Sequence, residues 1–250
     1  MGVQWIQPSR FASATFNPLS LSPWALWDAS DSATITESSG AVSQWNDKSG
    51  NARHLTASST ARPTTNSVTL NGLNAIDFNG TTNIMRFTPS SARLGDSGSL
   101  SIYMAYRVPT FVGSISYHAP PLHTTWTNVG RPLDAYDSNR LIYNIGFGSG
   151  WYHLGTGEST AVVLTWELTN VGEGSASSTL TERLNGSQTA SVSAGVQTGT
   201  SVQIITVGGR DDLATNFAGR IGELICFDSI LSSTNRDAVE SYLRTKWGAP

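Results

Sequence analysis

Residues 219–248 read Gly219-Arg-Ile-Gly-Glu-Leu-Ile-Cys-Phe-Asp-Ser-Ile-Leu-Ser-Ser-Thr-Asn-Arg-Asp-Ala-Val-Glu-Ser-Tyr242-Leu-Arg-Thr-Lys-Trp247-Gly248. Ile221 to Phe227 is apolar at both odd and even positions and too short for a helix, which predicts a strand covered on both faces. A helix is predicted from about Ser233, where Thr234 and Asp237 have capping-box spacing. Val239, Tyr242, Leu243 and Trp247 then share one stripe, and Gly248 supplies the stop. Upstream the chain carries strand and turn signals only, so a single helix closes an otherwise all-β chain.

Several upstream stretches repeat the pattern of strands and turns. Leu26-Trp-Asp28-Ala-Ser reads as an opening strand, and Val42-Ser-Gln-Trp45-Asn-Asp47-Lys-Ser-Gly50-Asn51 as a strand running into a polar turn that Asp47 fixes. Arg62-Pro63-Thr64 is followed by Leu70-Asn-Gly-Leu-Asn-Ala-Ile-Asp-Phe-Asn-Gly80. Asn71-Gly72, Asn79-Gly80 and Asn185-Gly186 are hairpin signals, because both residue types tolerate the positive φ of a type I′ turn. In Leu100 to Val108, Leu100, Ile102, Met104 and Tyr106 alternate with Ser101, Tyr103 and Ala105. Further strands are expected at 161–168, 179–184 and 202–207, and part of 109–153 (Arg140 to Phe147) is strand as well. No fixed repeat appears, which excludes propellers and solenoids.

Taken in this order, the elements resemble concanavalin A-like (LamG/laminarinase-like) jelly-roll domains, in the branch found in bacterial surface proteins and tailed-phage virion proteins. The resemblance covers most of residues 23–250. It implies an all-β, two-sheet antiparallel sandwich with one short C-terminal helix. It leaves function open, because one fold hosts enzymes, lectins and structural proteins.

Composition narrows the classes. Only 13% of the 250 residues are charged, with two lysines (Lys48 and Lys246) among fifteen basic residues. The net charge of −3 gives no basic field, so no nucleic-acid partner is expected. No apolar run is long enough to span a bilayer. Cys226 is the one cysteine, so no disulfide forms within the chain. Met1 to Arg10 lacks the pattern of a signal peptide. These features lead to the expectation of a soluble protein made inside the cell and released by lysis or carried on a particle.

Residues 1–22 hold Trp5, Ile6, Phe11, Phe16 and Leu19 without periodicity and between prolines. They are expected to form an N-terminal docking arm, packed on the domain of residues 23–250 or gripping a neighbour.

Catalytic signatures are weak. Gly95-Asp96-Ser97-Gly98-Ser99 resembles a chymotrypsin-like nucleophile loop, but the histidine context such chemistry needs is missing. Glycoside hydrolases of the resembled fold use a Glu-x-Asp-x-x-Glu strand, and here Glu167 and Glu223 each lack an acidic partner on their own strand. No catalytic residue is therefore expected. His118 and His123 have no companion ligands, so no metal site is expected. Ca²⁺ is a weak option at Asp28 with Asp31, Asp134 with Asp137, and Asp211 with Asp212, where turn formation competes.

Glycan recognition combines aromatic faces with planar polar groups. Trp126, Asn128, Arg131, Asp134, Tyr136, Asp137 and Asn139 bring both kinds into one stretch and are the glycan-binding candidates. The expectation is a non-enzymatic phage virion protein, a capsid decoration (cement) protein or tail adhesin with lectin-like binding. Its expected partners are capsid or tail proteins and a host surface glycan, with no nucleic acid and no membrane, in a homo-oligomer taken as a trimer. The alternatives are a stand-alone bacterial carbohydrate-binding module and a divergent glycoside hydrolase.

Overall fold

A computed structural model of the chain describes residues 16–88, 94–95, 97–108, 122–126, 134–135, 140–145, 148–153, 161–169, 178–194, 202–209 and 216–250. The central strand is Ala218–Phe227, longer than the apolar run alone indicates. It pairs antiparallel with Ser99–Arg107 on one side, and with Ala25–Asp28 and Ile76–Asn79 on the other. Val162–Thr169, Ser178–Leu184 and Ser187–Ala194 extend the same sheet outward from Ser99–Arg107. A second sheet runs in the order Leu122–Trp126, Val202–Val207, Met85–Phe87, Leu55–Thr56, Ala41–Trp45, Ile35–Ser38.

Alternation sorts the first sheet's side chains between two cores. Ile102, Met104, Tyr106, Leu224 and Cys226 point into the space between the sheets, where Trp27, Trp45 and Trp166 are also buried. Tyr103, Ala105, Ile225 and Phe227 point the other way, into a cluster closed by Val239, Leu243 and Trp247 of the helix. Both faces of the central strand are thus covered, which accounts for the continuous apolar run Leu224-Ile-Cys-Phe227. The architecture is a β-sandwich jelly roll with one C-terminal helix laid on its outer face.

The helix spans Ser233–Trp247. Its N-cap is Ser232, whose side chain accepts from the Asn235 N–H at 3.3 Å. The expected Thr234–Asp237 box does not form, since Asp237 pairs instead with Arg236 at 3.1 Å. Gly248 closes the helix at φ +73°, the left-handed geometry a C-terminal glycine supplies.

Asn71-Gly72 and Asn185-Gly186 have positive φ at both positions and join adjacent strands as two-residue turns. Asn79-Gly80 differs from expectation. Only Gly80 has positive φ, and the Asn79 carboxamide instead accepts from the N–H groups of Thr81, Thr82 and Asn83. Of the strand expected over 140–147, Arg140–Ile145 is strand, and residues 146–147 lie outside the described residues. Arg140–Ile145 pairs with Asp134–Ala135 and Gly148–His153 in a separate three-stranded sheet.

One irregularity positions a functional group. Pairing of Ala218–Phe227 with Ser99–Arg107 shifts register between Ile221 and Glu223, a β-bulge at Gly222. The bulge turns Glu223 toward the helix. Trp247 rests on Gly222, where an added Cβ would lie 2.6 Å from the indole ring.

Candidate functional site

Two features of the sandwich concentrate chemistry. The first is an open cleft of about 640 Å³ at the end where three distant segments meet. Leu19, Leu21 and Trp24 come from the run into the first strand, Lys48, Ser49, Asn51 and Arg53 from the turn after Trp45, and Phe227, Asp228 and Ser229 from the exit of the central strand.

Asp47 holds this turn in shape. Its Oδ1 accepts from the Leu26 N–H at 2.9 Å and the Ser49 N–H at 2.8 Å, and its Oδ2 from the Ser49 hydroxyl at 2.7 Å and the Arg53 N–H at 3.1 Å. The turn-fixing part expected of Asp47 is thus what the structure shows. Arg53 lies 4.1 Å above the Trp24 ring and donates to the Trp24 carbonyl at 2.6 Å. The Asn51 amide donates to the same carbonyl at 3.1 Å. A guanidinium stacked on an indole combines cation–π attraction with a fixed, planar set of donors. The cleft therefore offers amide, guanidinium, hydroxyl and carboxylate groups beside the apolar side chains of Leu19 and Leu21.

The second feature is a charge cluster between the first sheet and the helix. Asp28 and Glu223 are cross-strand partners. Lys246 Nζ bridges them, 2.9 Å from Asp28 Oδ2 and 2.7 Å from Glu223 Oε2. Trp247 Nε1 donates to Glu223 at 3.0 Å and the Tyr242 hydroxyl donates to it at 3.1 Å. Lys48 reaches Asp28 at 3.2 Å and Asp31 at 2.8 Å. Burial pushes the Glu223 carboxyl up, and Lys246 only partly opposes it. Burial acts the same way on Asp28, but the Ser30 hydroxyl, Lys246 and Lys48 together outweigh it and hold that carboxyl below its ordinary value. The absence of an acidic partner along Glu223's own strand thus conceals one on the neighbouring strand.

A farther pair of contacts seats the same helix. Arg183 Nε lies 2.9 Å from Glu240, and Arg236 lies 3.7 Å from Glu167. Glu167 has burial as the main influence on its carboxyl, which is raised.

The residues singled out from sequence are placed as follows. Trp126 ends the strand Leu122–Trp126 and Asp134 begins Asp134–Ala135, but their side chains lie outside the described residues. Asn128, Arg131, Tyr136, Asp137 and Asn139 lie outside them altogether, as do Trp5, Ile6, Phe11, His118, Asp211 and Asp212. Phe16 is described. It meets Tyr242 edge-on at 6.1 Å, and with Leu19 and Leu21 it packs on the helix-side cluster. Asp28 and Asp31 bond their own turns through Ser30 and Ala33 and direct their remaining oxygens to the lysines. Among the described residues no group of three or more metal-ligating side chains occurs, and no helix is long and apolar enough to cross a membrane.

Sequence reasoning missed the cleft because its first and last lining residues, Leu19 and Ser229, are 210 positions apart in the chain (229 − 19). The available signal was the polar turn after Trp45, read for its backbone role alone.

No family profile matches the chain, and no curated protein matches it. Solved structures do. The chain is similar to the Trypanosoma rangeli sialidase in complex with sialic acid (TM-score 0.62, 10% identity, 94% of this chain and 34% of that one). It is also similar to an arabinofuranosidase complexed with arabinofuranosyl-alpha-1,2-xylobiose (TM-score 0.58, 13% identity, 83% and 51%). A third is the binding domain of botulinum neurotoxin DC in complex with rat synaptotagmin II (TM-score 0.60, 12% identity, 90% and 52%). The chain spans between a third and about half of those structures' length. Identities this low establish a shared β-sandwich fold. They also correct the expectation of a non-enzymatic protein: two of these similar structures are of enzymes, so the sandwich gives no ground for excluding catalysis.

Proposed function

We propose that the chain is a carbohydrate-binding β-sandwich domain whose sugar site is the cleft between Trp24, Asn51, Arg53 and Ser229. The observation that carries this reading is the composition of the cleft: planar amide and guanidinium groups held on the Trp24 carbonyl, on a turn whose backbone Asp47 fixes, next to apolar side chains, in an opening large enough for one or two sugar rings. The fold supports it, since similar structures include one with sialic acid and one with an arabinofuranosyl-xylobiose.

Hydrolysis by a carboxylate pair needs a second carboxyl group about 5–10 Å from the first. Among the described lining residues Asp228 is the one carboxylate, so the described part of the cleft supplies one half of such a pair. The segment 126–139, with Trp126, Asn128, Arg131, Asp134, Tyr136, Asp137 and Asn139, is a second location for the same ligand class, favoured by its aromatic and amide content. A virion setting, with capsid or tail proteins as partners and a homo-oligomer taken as a trimer, belongs to the proposal; the sequence resemblance to concanavalin A-like domains of the kind found in tailed-phage virion proteins supports the setting alone. Co-sedimentation with assembled particles tests that setting.

The test of the sugar site is a glycan array. Binding by the intact chain is expected, lost in Ser229→Trp, where an exposed residue at the cleft mouth is replaced by a ring that fills it. Binding that survives Ser229→Trp and disappears in Trp126→Ala moves the site to 126–139. No binding to any array glycan by the folded protein overturns the reading.

A further inference from the structure

Lysine is scarce in this chain, two residues against thirteen arginines, yet both lysines meet at Asp28. For a static buried bridge arginine is the better cation, because its fork binds a carboxylate through two parallel hydrogen bonds. What an amine offers instead is the ability to lose its proton and act as a nucleophile.

The surroundings of Lys246 suit that chemistry. Its Nζ touches two carboxyl groups, Asp28 at 2.9 Å and Glu223 at 2.7 Å. The Glu223 side chain is 0% exposed, Asp28 8% and Lys246 17%. Tyr242 and Trp247 flank the ammonium at 5.4 and 5.1 Å and hold Glu223 by hydrogen bonds. On its far side, Asp28 Oδ1 accepts from the Ser30 N–H at 3.0 Å and the Ser30 hydroxyl at 2.6 Å. Two donors aimed at one carboxyl oxygen are what a tetrahedral intermediate requires.

We propose that Lys246 and Asp28 condense into an intramolecular amide, with Glu223 as the proton carrier. The starting state is an ammonium and a carboxylate. One proton passes from Lys246 Nζ through Glu223 to Asp28, and the resulting neutral amine and neutral acid are the reacting pair, reached against the hold that Ser30, Lys246 and Lys48 keep on the Asp28 carboxylate. The Nζ lone pair forms a bond to Asp28 Cγ, and negative charge collects on Oδ1 against the two Ser30 donors. Glu223 then takes a second proton from Nζ and returns it to the departing oxygen. The Cγ–Oδ2 bond breaks and one water leaves. Nothing is oxidised or reduced. Lys48 contacts Asp28 Oδ2 at 3.2 Å and Asp31 at 2.8 Å and keeps its charge throughout. The product ties the strand Ala25–Asp28 to the last turn of the helix and so closes almost the whole domain into one covalent ring.

Intact-mass spectrometry of the purified full chain in denaturant tests this. The protein is expected to be lighter than its sequence by one water, with tandem spectra showing a branched peptide that joins Lys246 to Asp28. Lys246→Arg keeps the cation and the fold and is expected at full mass, as is Glu223→Gln. Circular dichroism confirms that each variant is folded, and should Glu223→Gln not fold, Lys246→Arg alone decides. Wild-type protein at full sequence mass overturns the proposal. So does a water loss that persists in Lys246→Arg, or a branch through Lys48.

Discussion

Trp247→Ala tests whether the helix belongs to the cooperative fold or merely lies against it. Trp247 is 1% exposed, rests on Gly222 of the bulge and donates its indole N–H to Glu223. Removing a buried indole costs about 3–5 kcal/mol in transfer and cavity terms. Withdrawing one donor from a buried carboxyl costs a further ~1–3 kcal/mol, reduced here because Lys246 and Tyr242 still contact Glu223. The two contributions overlap, so the expected total is about 4–5 kcal/mol, a large share of the roughly 5–15 kcal/mol that holds a domain together. Trp247→Phe is the milder change. It keeps one aromatic ring but loses the N–H together with part of the buried indole volume, so a loss of about 2–3 kcal/mol is expected, smaller than for Trp247→Ala. Urea unfolding followed by far-UV circular dichroism reads both, with the midpoint falling and the slope unchanged. A loss below about 1 kcal/mol for Trp247→Ala would refute the picture of a helix integral to the core.

Further expectations follow from the same contacts. Gly222→Ala places a Cβ 2.6 Å from the Trp247 ring, and overpacking of this kind lowers stability by about 1–3 kcal/mol in the same urea assay. Asp47→Ala strips acceptors from four donors at once; a lower melting temperature and lost glycan binding are expected together, because the Asn51–Arg53 wall depends on that carboxylate. Glu182 is buried beside Trp166 and Thr189, and burial raises its carboxyl above the ordinary value despite both hydrogen bonds. Its contribution to stability is therefore full below the unfolded-state pKa of about 4.3 and is lost as pH rises through the raised folded value. Glu182→Gln should be more stable than wild type at neutral pH, with the difference closing in acid unfolding series.

How much of this was legible in the sequence depends on the range of the physics. The central strand and the helix stripe were readable because burial on both faces imposes a local apolar pattern, as at Leu224 to Phe227 and at Val239, Leu243 and Trp247. Asn71-Gly72 and Asn185-Gly186 were readable because positive φ is a local demand. Asn79-Gly80 misled because the Asn79 side chain can build a turn of its own from three following N–H groups. The cap fell on Ser232 rather than Thr234, since it is the Ser232 side chain that accepts from the Asn235 N–H. The pairing of Glu223 with Asp28 was out of reach, since it depends on a bulge and on the register of strands almost 200 residues apart. The cleft was hidden for the same reason.

The central claim is that a sugar occupies the cleft beside Trp24, Asn51, Arg53 and Ser229, and a crystal structure with the array-selected glycan measures this directly. The account predicts electron density for sugar rings between the Asn51–Arg53 turn and Ser229. Density over residues 126–139 with the cleft empty of sugar would contradict it.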